Sequence, residues 1–177
     1  MKSFVIALPV AVVLSFFAIP DLHAEERRMD KLHFTSQAFP NNGMIPPEYT
    51  CDGANVNPPL TIRNVPPKSG SLALIADDPD APRGTWVHWV VWNMGPDTTE
   101  IPANSAPGEA LHGTNDFGKQ GYGGPCPPSG THRYFFKLYA LDTSPALKPG
   151  ATKAQLEEAM KGHIIEKAEL IGYYRRK

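Results

Sequence analysis

The segment Trp86-Val87-His88-Trp89-Val90-Val91-Trp92-Asn93 is apolar on both faces of the strand it predicts. Tyr134 to Leu141 has the same character, and Ser71 to Asp77 sets Leu72, Leu74 and Ala76 on one face against Ala73 and Ile75 on the other. Strands buried on both sides belong to a sandwich or a covered sheet. Nineteen prolines and fifteen glycines break the remaining chain into short pieces joined by stiff loops, which argues against a helix bundle. Outward from the centre, Leu32 to Ser36 alternates apolar and polar, and Ala168 to Tyr174 predicts a last strand. Between them, Thr152 and Gln155 form a capping-box pattern, with Leu156, Ala159 and Met160 at helical spacing up to Gly162. The glycine-rich stretch from Ile101 to Gly124 is a long connection, expected only where it shapes a binding surface.

Ionisable groups stand at the ends of these apolar strands. Burying an acid or an imidazole without a partner costs several kcal/mol on typical scales, so Asp78, His88, His132 and Tyr134 are expected to meet around one small polar pocket. Strand alternation places His132 and Tyr134 on the face of Phe136, Leu138 and Ala140. It places Asp78 with Leu72, Leu74 and Ala76, and His88 with Trp86, Val90 and Trp92. A protonated histidine, the Tyr134 hydroxyl and loop amides from Gly123-Gly124 and Ser129-Gly130 are candidate donors to a small anion such as phosphate. Asp78 repels a bare dianion, favouring a protonated phosphate or a head group with its own ammonium. Asp80 reads as a turn-former that bonds its own backbone.

Two alternatives use the same residues. A hydrolase would employ Ser129 as nucleophile, or a His/Asp pair as acid and base, with His132 and Asp78 as partners. Pro-Pro-Ser-Gly is not the Gly-x-Ser-x-Gly elbow, so the expectation is a non-catalytic binding protein. A metal site on His88, His112 and His132 matches no local ligand spacing, and neither metal nor cofactor is expected.

Residues Phe4 to Ile19 form an apolar run behind Lys2, with Ala24 as the small residue before Glu25. The run contains Pro9 and is shorter than the roughly 20 residues of a spanning helix. Residues 1–24 are therefore expected to be a cleaved signal peptide, leaving 25–177 as a single exported domain, periplasmic or secreted, with no transmembrane span. Cleavage removes Lys2 and Asp21, so the formal net charge of −1 is unchanged and nothing points to nucleic acid. An exported chain places its two cysteines, Cys51 and Cys126, in an oxidising compartment, where a disulfide is expected and metal ligation is the weaker reading.

Asp78-Pro79-Asp80-Ala81-Pro82, the Trp/His-rich strand, and Gly124-Pro125-Cys126-Pro127-Pro128-Ser129-Gly130-Thr131-His132-Arg133-Tyr134 together resemble the phosphatidylethanolamine-binding protein family. Tyr49-Thr50-Cys51-Asp52-Gly53 and Asn57-Pro58-Pro59-Leu60 are similar to its bacterial Raf-kinase-inhibitor-like branch, and the likeness runs from about Phe34 to Tyr174. The resemblance implies a Greek-key β-sandwich with a peripheral C-terminal helix. It also implies an anion pocket of Asp78, His88, Pro128, His132 and Tyr134, supported by the loop residues Gly124, Ser129 and Gly130. Implied ligands are phosphate, phosphorylated head groups or nucleotides, and implied partners are kinases or serine proteases. Cys126 and a short Ser129 to His132 junction depart from the eukaryotic pattern.

Overall fold

The computed structural model describes residues 31–106 and 108–176; the expected signal peptide lies outside them. Strands β1 (His33–Ser36), β3 (Leu60–Arg63) and β6 (Glu100–Ile101) form one small antiparallel sheet in the order β1-β3-β6. A larger sheet runs β2-β9-β8-β4-β5-β7, where β2 is Gly43–Met44, β4 Ser71–Asp78, β5 Trp86–Met94, β7 Leu111–His112, β8 His132–Leu141 and β9 Ile164–Tyr174. The suborder β8-β4-β5-β7, with β8 returning by a long connection to lie beside β4, is the Greek-key arrangement. The fold is thus mainly β, two packed sheets with one α-helix among the described residues, as the resemblance implied.

Both faces of the large sheet are covered, which is why β4 has every residue buried. One face packs Leu72, Leu74, Ala76, Phe136 and Leu138 against Phe34, Leu60, Ile62 and Ile101 of the small sheet. The other packs Ala73, Ile75, Val90 and Trp92 against Leu156 and Met160 of helix α1 (Lys153–Met160). Each such leucine, isoleucine, valine, phenylalanine or methionine side chain removed from water contributes about 1.5–3 kcal/mol. Thr152 caps α1 as expected: its hydroxyl accepts from the Gln155 amide while the Gln155 side chain accepts from the Thr152 amide. The helix stops at Met160, and Gly162 takes the left-handed turn (φ 78°) that launches β9 at Ile164, earlier than the predicted Ala168. Exposed Ile164 and Ile165 hide the two-residue alternation over this added length. Asp77 points to the helix side, where its buried carboxylate accepts from Lys137 at 2.7 Å and from Lys153 at 2.5 Å.

Simple alternation fails in β5. Ala76 opposes Trp89 and Asp77 opposes Val87, so His88 is an extra residue, a β-bulge. A second irregularity between Val91 and Met94 sits at Asn93, whose φ is +58°. Val87 therefore joins Val90 and Trp92 on the helix face. His88, expected on that face too, turns instead toward the side of Asp78 and Tyr134.

Cys51 and Cys126 form a disulfide with Cα atoms 5.4 Å apart, tying the loop before β3 to the loop before β8 across 75 residues of sequence. A closed loop of this length stabilises a fold by on the order of 2–5 kcal/mol. The Cys51→Ser/Cys126→Ser double variant is expected to lower the unfolding free energy within that range, read as a lower midpoint in urea.

Candidate functional site

Beside the bulge lies a cavity of about 250 Å³ lined by Asp78, Ala81, Pro82, Trp86, His88, Phe117, Cys126 and Pro128. The carboxylate of Asp78, at the end of β4, is held from both sides. One oxygen accepts the Asp80 amide at 2.8 Å, and the other accepts from His132 Nδ1 at 2.7 Å. All three of Asp78, His88 and His132 are buried. The turn chemistry assigned to Asp80 thus belongs to Asp78. The Asp80 carboxylate accepts instead from the Arg133 side chain at 2.9 and 2.6 Å and from the Arg133 amide, and the guanidinium holds its pKa down to about 2.

His88 Nδ1 lies 2.6 Å from the Gly123 carbonyl oxygen, which only accepts, so Nδ1 carries the hydrogen and Nε2 keeps a lone pair in the neutral ring. Burial pushes the His88 pKa below its ordinary 6.5, against the opposing pull of the Gly123 carbonyl and the Asp78 charge. Phe117 meets the imidazole edge-on at 5.3 Å and Trp86 at 5.5 Å, forming an aromatic rim that leaves Phe117 41 % exposed. On the other side Tyr134 lies 5.2 Å from His88, ring centre to ring centre. The Tyr134 hydroxyl is buried without a well-formed hydrogen bond, although Asp78 and the Cys126 amide face it. Burial and the Asp78 charge raise its pKa well above the usual phenol value, so it is a donor throughout the physiological range.

The long glycine-rich connection is stitched to the bulge. Gly113 N–H donates to Val90 O, Asp116 N–H to Val87 O and Gly123 N–H to His88 O, while the buried Asn115 amide also donates to His88 O. Asn115 and Phe117 were not singled out from sequence; the Asn-Asp-Phe-Gly run at 115–118, an aromatic between turn residues, was the available signal.

Four of the expected pocket residues, Asp78, His88, His132 and Tyr134, converge here, and Pro128 is on the wall. The supporting loop differs from expectation. The Gly124 amide donates to Asn55 at 2.7 Å and the Gly123 amide is taken by His88, so neither is left for a ligand. Ser129 and Gly130 are exposed and outside the lining, and His132 is bonded to Asp78 with no hydrogen bond to Ser129. His112 stands apart on β7, its Nδ1 accepting from the Trp89 indole at 3.4 Å. Among the described residues no three His, Cys, Asp or Glu side chains are grouped to hold a metal ion.

Residues 35–175 match the phosphatidylethanolamine-binding protein family. The chain belongs to this family. A UPF0098 protein of Methanothermobacter thermautotrophicus is 52 % identical over 150 residues, covering 82 % of this chain and 99 % of the relative. One from Pyrococcus horikoshii is 46 % identical, covering 100 % of this chain and 91 % of its own. Among solved structures, a phosphatidylethanolamine-binding protein homologue of Chlamydia trachomatis superposes with a TM-score of 0.81 at 42 % identity, covering 84 % of this chain and 99 % of the other. An Escherichia coli protein described as a new member of the mammalian phosphatidylethanolamine-binding protein family gives 0.78 at 31 % identity, covering 83 % and 99 %. The sequence motifs and the fold therefore lead to the same family.

The depressed His88 pKa has a definite sign in stability. The imidazole is neutral when folded and returns to about 6.5 on unfolding, so its contribution is complete above 6.5 and is lost as pH falls below it. Urea unfolding at pH 7.5 and pH 5 is expected to show a drop in stability for the wild type and a smaller one for His88→Gln, whose amide still donates toward Gly123.

Proposed function

We propose that this chain is a non-catalytic binding protein whose cavity at Asp78, His88, His132 and Tyr134, walled by Pro128, takes the anionic head of a phosphate-bearing ligand. The observation that carries the reading is a buried, unbonded Tyr134 hydroxyl beside His88 and Asp78 at a preformed, mostly apolar cavity. A few polar groups at the base of an apolar cleft is the ordinary character of a small-molecule site. Membership of a family named for binding a phospholipid supports the class of ligand. The head would meet the polar base, and an organic remainder would pass Trp86 and Phe117.

The same reading covers a phosphorylated or acidic segment of a partner, with a serine protease or a kinase as the regulated protein. Export of residues 25–177 as one domain after removal of residues 1–24 is part of it. The disulfide is compatible with that route, and among the described residues no helix is long and apolar enough to cross a membrane. The hydrolase alternative has the Asp78–His132 hydrogen bond in its favour. Against it, Ser129 is exposed and has no base bonded to it.

Titration of the protein with phosphoethanolamine is expected to give saturable heat, and His88→Ala to weaken binding at least tenfold with unchanged circular dichroism. That factor is about 1.4 kcal/mol, the scale of one hydrogen bond to a charged group. Equal affinity in the two proteins would remove the site from consideration.

A further inference from the structure

A second cavity, of about 250 Å³, lies between the loop before β3, the loop after β6, and strands β5 and β7. It shares no residue with the cavity at His88, and its described lining holds no Asp, Glu, Lys or Arg. What faces it is a set of neutral polar side chains, Asn55, Asn104 and His112, beside the rings of Trp89 and Tyr122, which meet edge-on at 5.6 Å.

Each of the three is oriented by bonds made behind the cavity wall. Asn55 accepts the Gly124 amide on Oδ1 at 2.7 Å, and its own amide donates to the Glu48 carbonyl at 3.0 Å. A backbone N–H only donates, so the arm of Asn55 left over is the Nδ2 donor. His112 Nδ1 accepts the Trp89 indole N–H, which likewise only donates, so the neutral ring carries its hydrogen on Nε2. Burial lowers the His112 pKa and keeps that ring neutral at pH 7. Asn104 is fixed through the buried Asn57. The Asn57 carbonyl accepts the Asn104 amide at 3.2 Å, and its Oδ1 accepts the Ser105 amide at 3.0 Å. Its Nδ2 donates to the carbonyls of Pro58 and Pro102, so Asn57 is spent in holding the loop. Asn55 Nδ2, His112 Nε2 and the Asn104 carboxamide have no hydrogen-bond partner among the described residues. Side chains held from behind and open in front are the ordinary construction of a recognition site.

The chemistry of the opening selects what it takes. An ion entering would lose water and meet no counter-charge. The Asn104 carboxamide sets a donor beside an acceptor, and adjacent hydroxyls, each able to donate and accept, match that pair. The Asn55 and His112 donors add places for further hydroxyl oxygens, and the Tyr122 ring gives C–H surface something to pack on. We propose that this second cavity binds one uncharged sugar ring through its vicinal hydroxyls, with Asn55, Asn104 and His112 as the polar contacts. The site is independent of the anion reading of the first cavity.

The test is a nuclear magnetic resonance titration of the full chain, following the side-chain amide signals of Asn55 and Asn104 and the ring of His112. The probes are the methyl glycosides of glucose, galactose, mannose and N-acetylglucosamine. At least one is expected to shift all three signals saturably, with a dissociation constant of about 10 mM or tighter. Methyl glucuronide, which is charged, and tetrahydropyran-2-methanol, which lacks vicinal hydroxyls, are expected to bind at least tenfold more weakly. Maltose and cellobiose separate the sources: binding tighter than the single ring marks a glycan chain, and equal or weaker binding a free sugar, and both support the site. Asn104 has φ +54°, so Asn104→Gly keeps the left-handed backbone and removes only the carboxamide. It is expected to weaken the best probe at least fivefold. Should that variant not fold, the wild-type panel decides the matter. No saturable shift from any methyl glycoside, or shifts confined to residues outside this cavity, would overturn the proposal. So would a loss below fivefold in Asn104→Gly, or either control binding within tenfold of the best glycoside. None of these results bears on the cavity at His88.

Discussion

An extra residue in a strand buried on both faces must find partners for its backbone groups away from its neighbouring strand, and that requirement at His88 organises the rest of the site. The carbonyl of the bulged residue collects hydrogen bonds from the Gly123 amide and the Asn115 side chain, while the Gly123 carbonyl receives the His88 ring. One irregularity thereby docks a long glycine-rich segment, fixes the tautomer of an imidazole and turns that imidazole to the side where Asp78 lies. The glycines serve close approach: at Gly123 a Cβ would lie 2.5 Å from the Phe117 ring, and at Gly124 2.6 Å from the Tyr49 carbonyl oxygen. Larger residues there would push the loop off the strand and withdraw the partner that orients His88.

Two consecutive acids illustrate how the two-sided sheet separates structural from chemical duties. Asp77 and Asp78 point to opposite faces, as adjacent strand residues must. The first is neutralised by two lysines, one of them from the helix that covers that face. The second is held by a histidine and a turn amide, and it keeps accepting capacity toward a cavity. The same residue type serves as a fastener on one side and as part of a cavity wall on the other, distinguished by the cations within reach.

Most of the architecture was legible in the sequence because periodicity and punctuation agree: β4, β5 and β8 announce themselves as doubly buried runs, and the capping box announces α1. That Asp78, His132 and Tyr134 lie on one side of the sheet followed from alternation, since β4 and β8 pair without interruption from Ser71–Leu141 to Asp77–Phe135. His88 reached the pocket in spite of the alternation. A bulge is a relation between two strands, and the sequence of one strand alone does not contain it. The loop amides were misassigned for a related reason, because a glycine-rich segment advertises available N–H groups without revealing that Asn55 and the His88 carbonyl, distant in sequence, have taken them. Asp80 looked like local turn chemistry until β8 brought Arg133 against it.

Asp78 and Asp80 grip two neighbouring residues of β8, the buried His132 and the exposed Arg133. Sliding β8 by a single residue would bring a guanidinium to the buried acid and leave the imidazole in water, with every side chain of the strand on the wrong face. The two contacts therefore work as a lock with differently cut pins, one that opens only to a small neutral or singly charged ring and one that opens to a long cation. A chain emerging unfolded carries in this short turn its own proofreading of how the central strands are aligned.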